Sequence, residues 1–153
     1  MRIRWVEVLV VLAAVGARIA AMVSLQSTAY VRHPLVDAHT YWSQALSLTN
    51  GGDPFQDGYY QPPGYPMYLS WLQQWVGMEL WVPRGIQLML GVVTTILLIH
   101  LGRRIGGDGR RWFGAMAGAL YALYPTTILF ELDLLTPAIT SFVTVVLMVL
   151  VDP

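Results

Sequence analysis

Val6 to Leu25 is a run of twenty residues that is apolar except at Glu7 and Arg18. At 1.5 Å per residue, a helix of that length covers the hydrocarbon core of a bilayer, roughly 30 Å thick. Three further apolar runs follow, at about 86–101, 113–130 and 138–151. Hydrophobic residues make up 56% of the chain and charged ones 12%, against about 25% charged in ordinary soluble domains. The expected fold class is therefore all-α: a polytopic membrane helix bundle forming one membrane domain over residues 1–153.

The basic residues orient the runs. Arg2 and Arg4 precede the first run, and Arg103, Arg104, Arg110 and Arg111 fill the short loop after the second. By the positive-inside rule both places are cytoplasmic, so the chain returns to the side on which it began. A cleaved signal peptide is the competing reading of the first run, because Ala14 to Ala21 is rich in small residues. The length of the apolar part and Arg18 inside the cleavage zone favour a retained span. Because these arginines flank lipid-length runs, no nucleic-acid partner is indicated. The absence of cysteine excludes a disulfide framework and thiolate chemistry.

Residues 27–83 form an outer segment far longer than an ordinary connection, and such segments carry function or structure of their own. Two amphipathic helices are expected inside it, at 38–48 and 66–76. The first brings Ala38, Tyr41, Trp42, Ala45, Leu46 and Leu48 near one face and stops at Asn50-Gly51-Gly52. The second carries Tyr68, Leu69, Trp71, Leu72, Trp75 and Val76 and stops at Gly77. Helices this rich in aromatic residues lie in the membrane interface. Residues 53–58 read as a turn, and Tyr59 to Gly64 as a stiff extended connector.

The acids Asp37, Glu131 and Asp133 fall on the outer side in this topology. Two such sites can divide labour, one accepting a proton from an incoming nucleophile and the other positioning it or a divalent cation. The simpler reading makes Asp37 the N-cap of the 38–48 helix, and Glu131 with Asp133 a solvated span end. Arg18 lies about 21 Å along the first helix from Arg4. That places it near the outer interface, with lipid headgroups or a substrate phosphate as its partner. His33 and His39 lack a third ligand at convincing spacing, so no metal site is expected there. His100 reads as structural.

His33-Pro-Leu-Val-Asp37-Ala-His39-Thr-Tyr41-Trp, then Tyr59-Tyr-Gln-Pro-Pro-Gly-Tyr65-Pro, then Ala122-Leu-Tyr-Pro-Thr-Thr-Ile-Leu-Phe-Glu131-Leu-Asp133 occur in the order seen in one enzyme family. The chain resembles the amino-terminal part of GT-C type membrane glycosyltransferases. The resemblance is to the bacterial branch related to dolichyl-phosphate-mannose protein mannosyltransferases and to the lipid A aminoarabinose transferase, and it covers nearly the whole chain. It implies transfer of a sugar from a polyprenyl-phosphate carrier to a protein or lipid acceptor at the outer face of the cell membrane. It also implies that Asp37 is the catalytic base and that the second acidic position is Glu131 or Asp133. The family often has another acid after the first, where this chain has Ala38. Arg18, Arg32, His39 and Tyr41 are the expected phosphate or substrate contacts, with His33 and Arg84 as further donors. Family members have more spans than four. The last run is short, and no basic residue follows it, so the chain is expected to continue past Pro153 and to be inactive alone. The competing class is a non-enzymatic module, a transporter part or assembly partner, in which Asp37 only caps a helix.

Overall fold

The computed structural model describes residues 5–56, 58, 60–77, 79–107, 110 and 112–151. Arg2, Arg4, Asp57, Tyr59, Arg111 and the end at Asp152-Pro153 lie outside the described residues. The fold is all-α, with no strand among the described residues. Helix α1 is Trp5–Leu25, α2 Ala29–Arg32, α3 Val36–Thr49, α4 Gly64–Val76, α5 Trp81–Gly106, α6 Trp112–Ala122, α7 Pro125–Leu132 and α8 Pro137–Val151. Two helices, α1 and α5, are long and apolar enough to cross a membrane.

The expected third span is not one straight helix. Residues 113–130 divide into α6 and α7, bent by 53° at the break. Pro125 is the reason: it has no N–H to continue the ladder, and it drives Tyr124 into an extended conformation with ψ 110°. Leu123 N still donates to Ala119 O at 3.0 Å, so α6 keeps its helical bonding up to the break. The expected second span, 86–101, is longer at both ends in α5. Pro83 is tolerated in the first turn, and Arg103 with Arg104 suits the negative end of the helix dipole. The short α2 was not legible in the sequence.

Helix α5 is the hub, packing on α1, α4, α6, α7 and α8. Its buried stripe contains Arg84, Gln87, Gly91, Thr94, Thr95 and Gly102, while Met89, Val93 and Ile96 are exposed. Polar and small residues inside with apolar ones outside invert the pattern of a water-soluble bundle, and suit a surrounding of lipid. The small residues let backbones approach. A Cβ on Gly114 of α6 would fall 2.5 Å from Ile99 O, and one on Gly102 would fall 2.9 Å from Gly114 Cα.

One end of the bundle is fixed by Arg103, whose Nε donates to Glu7 Oε1 at 2.7 Å and whose Nη2 pairs with Glu7 Oε2. This sets the start of α1 beside the end of α5. Near the same end, Arg104 Nη1 lies 3.4 Å from Val149 O of α8.

Helices α3 and α4 pack on each other at the opposite end, where α5 begins. Ala38, Tyr41, Ala45, Tyr65, Leu69 and Leu134 form their buried cluster, joined by Trp42, Tyr68, Leu80, Leu135 and Ile139. The sequence-derived face of α3 corresponds to this cluster. On α4 the face is rotated: Tyr65, Leu69 and Leu72 are buried together with Ser70 and Gln73, while Trp71, Trp75 and Val76 are exposed. The polar pair is accommodated by Thr49, whose Oγ1 lies 2.9 Å from Gln73 Oε1 and 3.1 Å from Ser70 Oγ. Gly51 at φ 77° and Gly77 at φ 80° end the two helices. The turn at 53–58 includes Phe55 N donating to Asp53 Oδ1 at 3.0 Å.

Candidate functional site

Pro34 disfavours helix at His33 and separates α2 from α3. Helix α3 then starts at Val36, whose φ of 48° is a strained value for a β-branched residue. Asp37 is the next residue and lies in the first helical turn, exposed. It is not the N-cap. Leu35 occupies that position, and no side chain caps the helix. An acid in the first turn still faces the positive end of the helix dipole, a placement that stabilises the helix. Arg32, His33 and His39 are exposed in the same segment.

Tyr41, one turn after Asp37, is buried and meets Tyr65 of α4 edge to face, with ring centroids 5.0 Å apart. Burial raises the Tyr41 hydroxyl above its ordinary range, and the Asp37 charge raises it further. The same applies to Tyr65: burial is the main cause, and the charges of Tyr68 and Asp133 add to it. The two acids Asp37 and Asp133 therefore act on two rings that touch. Tyr65 Oη donates to Gln87 Oε1 at 2.8 Å, and Gln87 Nε2 donates to Asp133 O at 2.9 Å and approaches Leu135 O at 3.4 Å. Arg84, one turn earlier on α5, donates from Nε to Leu132 O at 2.8 Å and sits 5.4 Å from the Trp81 ring centroid.

Glu131, the other candidate for the second acidic position, has a different environment. Its carboxylate is 1% exposed and receives both Arg18 Nε and Arg18 Nη2 at 2.7 Å, a parallel bidentate pair. Arg18 Nη1 points to Ala14 O at 3.2 Å and Ala122 O at 3.4 Å. Tyr121 Oη donates to Glu131 Oε1 at 3.3 Å. Arg18 is 2% exposed, and its guanidinium nitrogens face acceptors within the bundle, where the expectation had been lipid headgroups or a substrate phosphate. Gly91 makes the pair possible, because any side chain there would overlap the Glu131 carboxylate.

The structure thus separates the two acids of Glu131-Leu132-Asp133. Asp133 goes with the α3/α4 end and Asp37, and Glu131 locks α7 to α1. A cavity of about 70 Å³ beside Glu131 is lined by Tyr121, Thr127, Phe130, Pro137, Ala138 and Ser141. On the other side of Arg18, α1 and α5 enclose an open apolar groove of about 500 Å³ floored by Val15, Ile19, Leu88 and Val92.

Among the described residues, no cluster of three or more His, Cys, Asp or Glu side chains is arranged to hold a metal ion.

Sequence reasoning missed Tyr65, Gln87, Gly91 and Tyr121. Gln87 carried a signal, since an amide inside an apolar span needs a partner within the bundle. Arg18 and Glu131 carried the same signal as opposite charges in two spans. No family model, no curated protein and no solved structure matches the chain.

Proposed function

We propose that the chain is part of a polytopic membrane glycosyltransferase that takes a sugar from a polyprenyl-phosphate carrier on the outer face of the cell membrane, with Asp37 as general base. The observation that carries this reading is the placement of Asp37. It is an exposed carboxylate at the start of α3, next to a strained residue and one turn from a buried tyrosine that links it, through Tyr65 and Gln87, to Asp133. One further observation supports it: the start of α1 and the end of α5 share the arginine-rich end, which the positive-inside rule reads as cytoplasmic, so that the opposite end, with α3 and α4, is read as outer.

In the reaction, the acceptor hydroxyl oxygen attacks the anomeric carbon and its proton passes to an Asp37 carboxylate oxygen. The bond from that carbon to the carrier phosphate breaks, and the phosphate leaves with the electron pair. A carboxylate is a weak base towards an alcohol, so proton transfer accompanies bond formation and orientation carries much of the rate. Negative charge grows on the phosphate. With Arg18 engaged by Glu131, Arg32 and His39 are the exposed donors of the α3 segment that serve it. A single displacement inverts the anomeric configuration. Retention in the product refutes that mechanism.

One observation favours the transporter-like reading. The Arg18–Glu131 pair is buried beside the interrupted helix pair α6–α7, and transporters place ionisable groups at broken helices. The decisive experiment is Asp37→Asn in the full-length protein, reconstituted in liposomes with a polyprenyl-phosphate sugar. On the enzyme reading the variant inserts normally and transfer falls by about 100-fold or more. Normal transfer removes Asp37 as base.

A further inference from the structure

We infer that Gln87 is the positioning residue that holds Asp133 in register with Asp37. The argument is one of connectivity. Asp37 and Asp133 are 96 residues apart in sequence. Helix α3 packs on α4, α4 reaches α5, and the turn after α7 is bonded to α5. Leu134 joins the apolar cluster of α3 and α4, and beside that apolar contact a polar link between the two acids runs through α4 and α5. At the crossing stands one side chain that touches both sides: Gln87, 0% exposed, accepts from Tyr65 Oη of α4 at 2.8 Å and donates to Asp133 O at 2.9 Å. Tyr65 in turn packs its ring on Tyr41 at 5.0 Å, one turn from Asp37.

Gln87 suits the task for chemical reasons. The tyrosine hydroxyl needs an acceptor; the carbonyl oxygen of Asp133, which already accepts from Leu135 N at 3.0 Å, and that of Leu135 each have a lone pair for a further donor where the turn 133–136 interrupts the helical ladder. Only a side chain with a donor on one atom and an acceptor on the next satisfies both. Leucine satisfies neither, glutamate accepts but cannot donate, and asparagine is one methylene too short to reach both partners. The contact is made to the main chain of Asp133. Gln87 touches no substrate in this arrangement. Its action on the reaction passes through the position of Asp133.

This inference rests on the transferase reading for its kinetic arm, but not for its geometric one. The chain has no cysteine, so spin labels can be attached at Ser43→Cys on α3 and Thr140→Cys on α8, both exposed. Their distance distribution in reconstituted full-length protein is then measured by pulsed electron paramagnetic resonance. Gln87→Leu and Tyr65→Phe are each expected to broaden it. Gln87→Glu is expected to displace the α7–α8 turn while keeping the Tyr65 bond. With the same protein, Gln87→Leu is expected to lower kcat per folded molecule by about 100-fold, the scale for an ångström-sized misplacement, with KM for the carrier unchanged. A merely structural Gln87 would lower the amount of folded protein and leave kcat intact. Tyr65→Phe, which loses one hydroxyl only, guards against a Gln87→Leu variant that does not fold. A distance distribution in both variants superimposable on that of the parent overturns the inference. So does a broadened distribution with unchanged kcat in a protein that Asp37→Asn inactivates. If Asp37→Asn leaves transfer normal while Gln87→Leu still broadens the distribution, the transferase reading falls and the positioning geometry stands.

Discussion

Removing one partner of the Arg18–Glu131 pair is the most severe single change this fold can be given at a site remote from Asp37. In Glu131→Leu, a guanidinium 2% exposed is left with only the carbonyls of Ala14 and Ala122 to face. In Arg18→Leu, a carboxylate 1% exposed keeps only Tyr121 Oη. An orphaned buried charge costs about 3–5 kcal/mol in soluble interiors, and a charged side chain at a helix centre in a membrane costs about 2.5–3.5 kcal/mol on insertion scales. Both routes give about 3 kcal/mol for each single variant, a shift of about 150-fold in the folding equilibrium. The double variant Arg18→Leu/Glu131→Leu has neither charge left to bury. It recovers most of the loss, because replacing a buried ion pair by apolar groups is often neutral or stabilising. The assay is reversible unfolding in mixed micelles titrated with a denaturing detergent, run as a double-mutant cycle. Single variants within about 0.5 kcal/mol of the parent, or a double variant that loses the sum of the two, would show that water or lipid headgroups reach the pair and that the burial argument is wrong.

Gly91→Ala puts a methyl group into the Glu131 carboxylate, so a loss of about 1–3 kcal/mol is expected, and it should nearly vanish in a Glu131→Ala background where the obstruction is gone. Thermal denaturation of the four proteins checks this. Gly114→Ala meets main chain at Ile99 O and has no such rescue, so it should destabilise whatever the side chains around it. Alkaline titration followed by tyrosinate absorbance should show Tyr65 ionising above the ordinary tyrosine value of 10.0. Because its pKa is raised in the folded state, its contribution to stability is intact below about pH 10 and is lost as pH rises beyond that. All nine basic residues are arginine, so no lysine titrates in that window. Stability that declines between pH 7 and 9 instead would point to another group.

Much of the architecture was legible because it follows from hydrophobic length and helix punctuation. The run from Val6, the Asn50-Gly51-Gly52 stop and Gly77 each correspond to a helix boundary within a few residues. The break at Pro125 was legible in principle, since proline inside an apolar run cannot continue the ladder, yet span length alone suggested one straight helix. Pair identities were not legible. Arg18 and Glu131 are 113 residues apart, and nothing in either local pattern says which of several carboxylates closes the pair. The choice is made by Gly91, which leaves room for one side chain at that depth of α5. For the same reason the sequence could not divide Glu131 from Asp133. Glu131 lies in the last turn of α7 and Asp133 just past its end with extended backbone, and only the position of α1 decides which acid is enclosed.

The buried stripe of α5 has a bearing on biogenesis. A nascent helix leaving the ribosome with Arg84 and Gln87 along one side lacks their acceptors at Leu132 and Asp133, which have not yet been synthesised, whereas Thr94 and Thr95 bond within α5 itself. Stable integration of α5 then waits until the chain extends 46 to 48 residues beyond these two side chains, or for a chaperoning insertase to shield it meanwhile. Truncating the chain before Leu132 should therefore leave a product that targets the membrane through α1 and is then degraded.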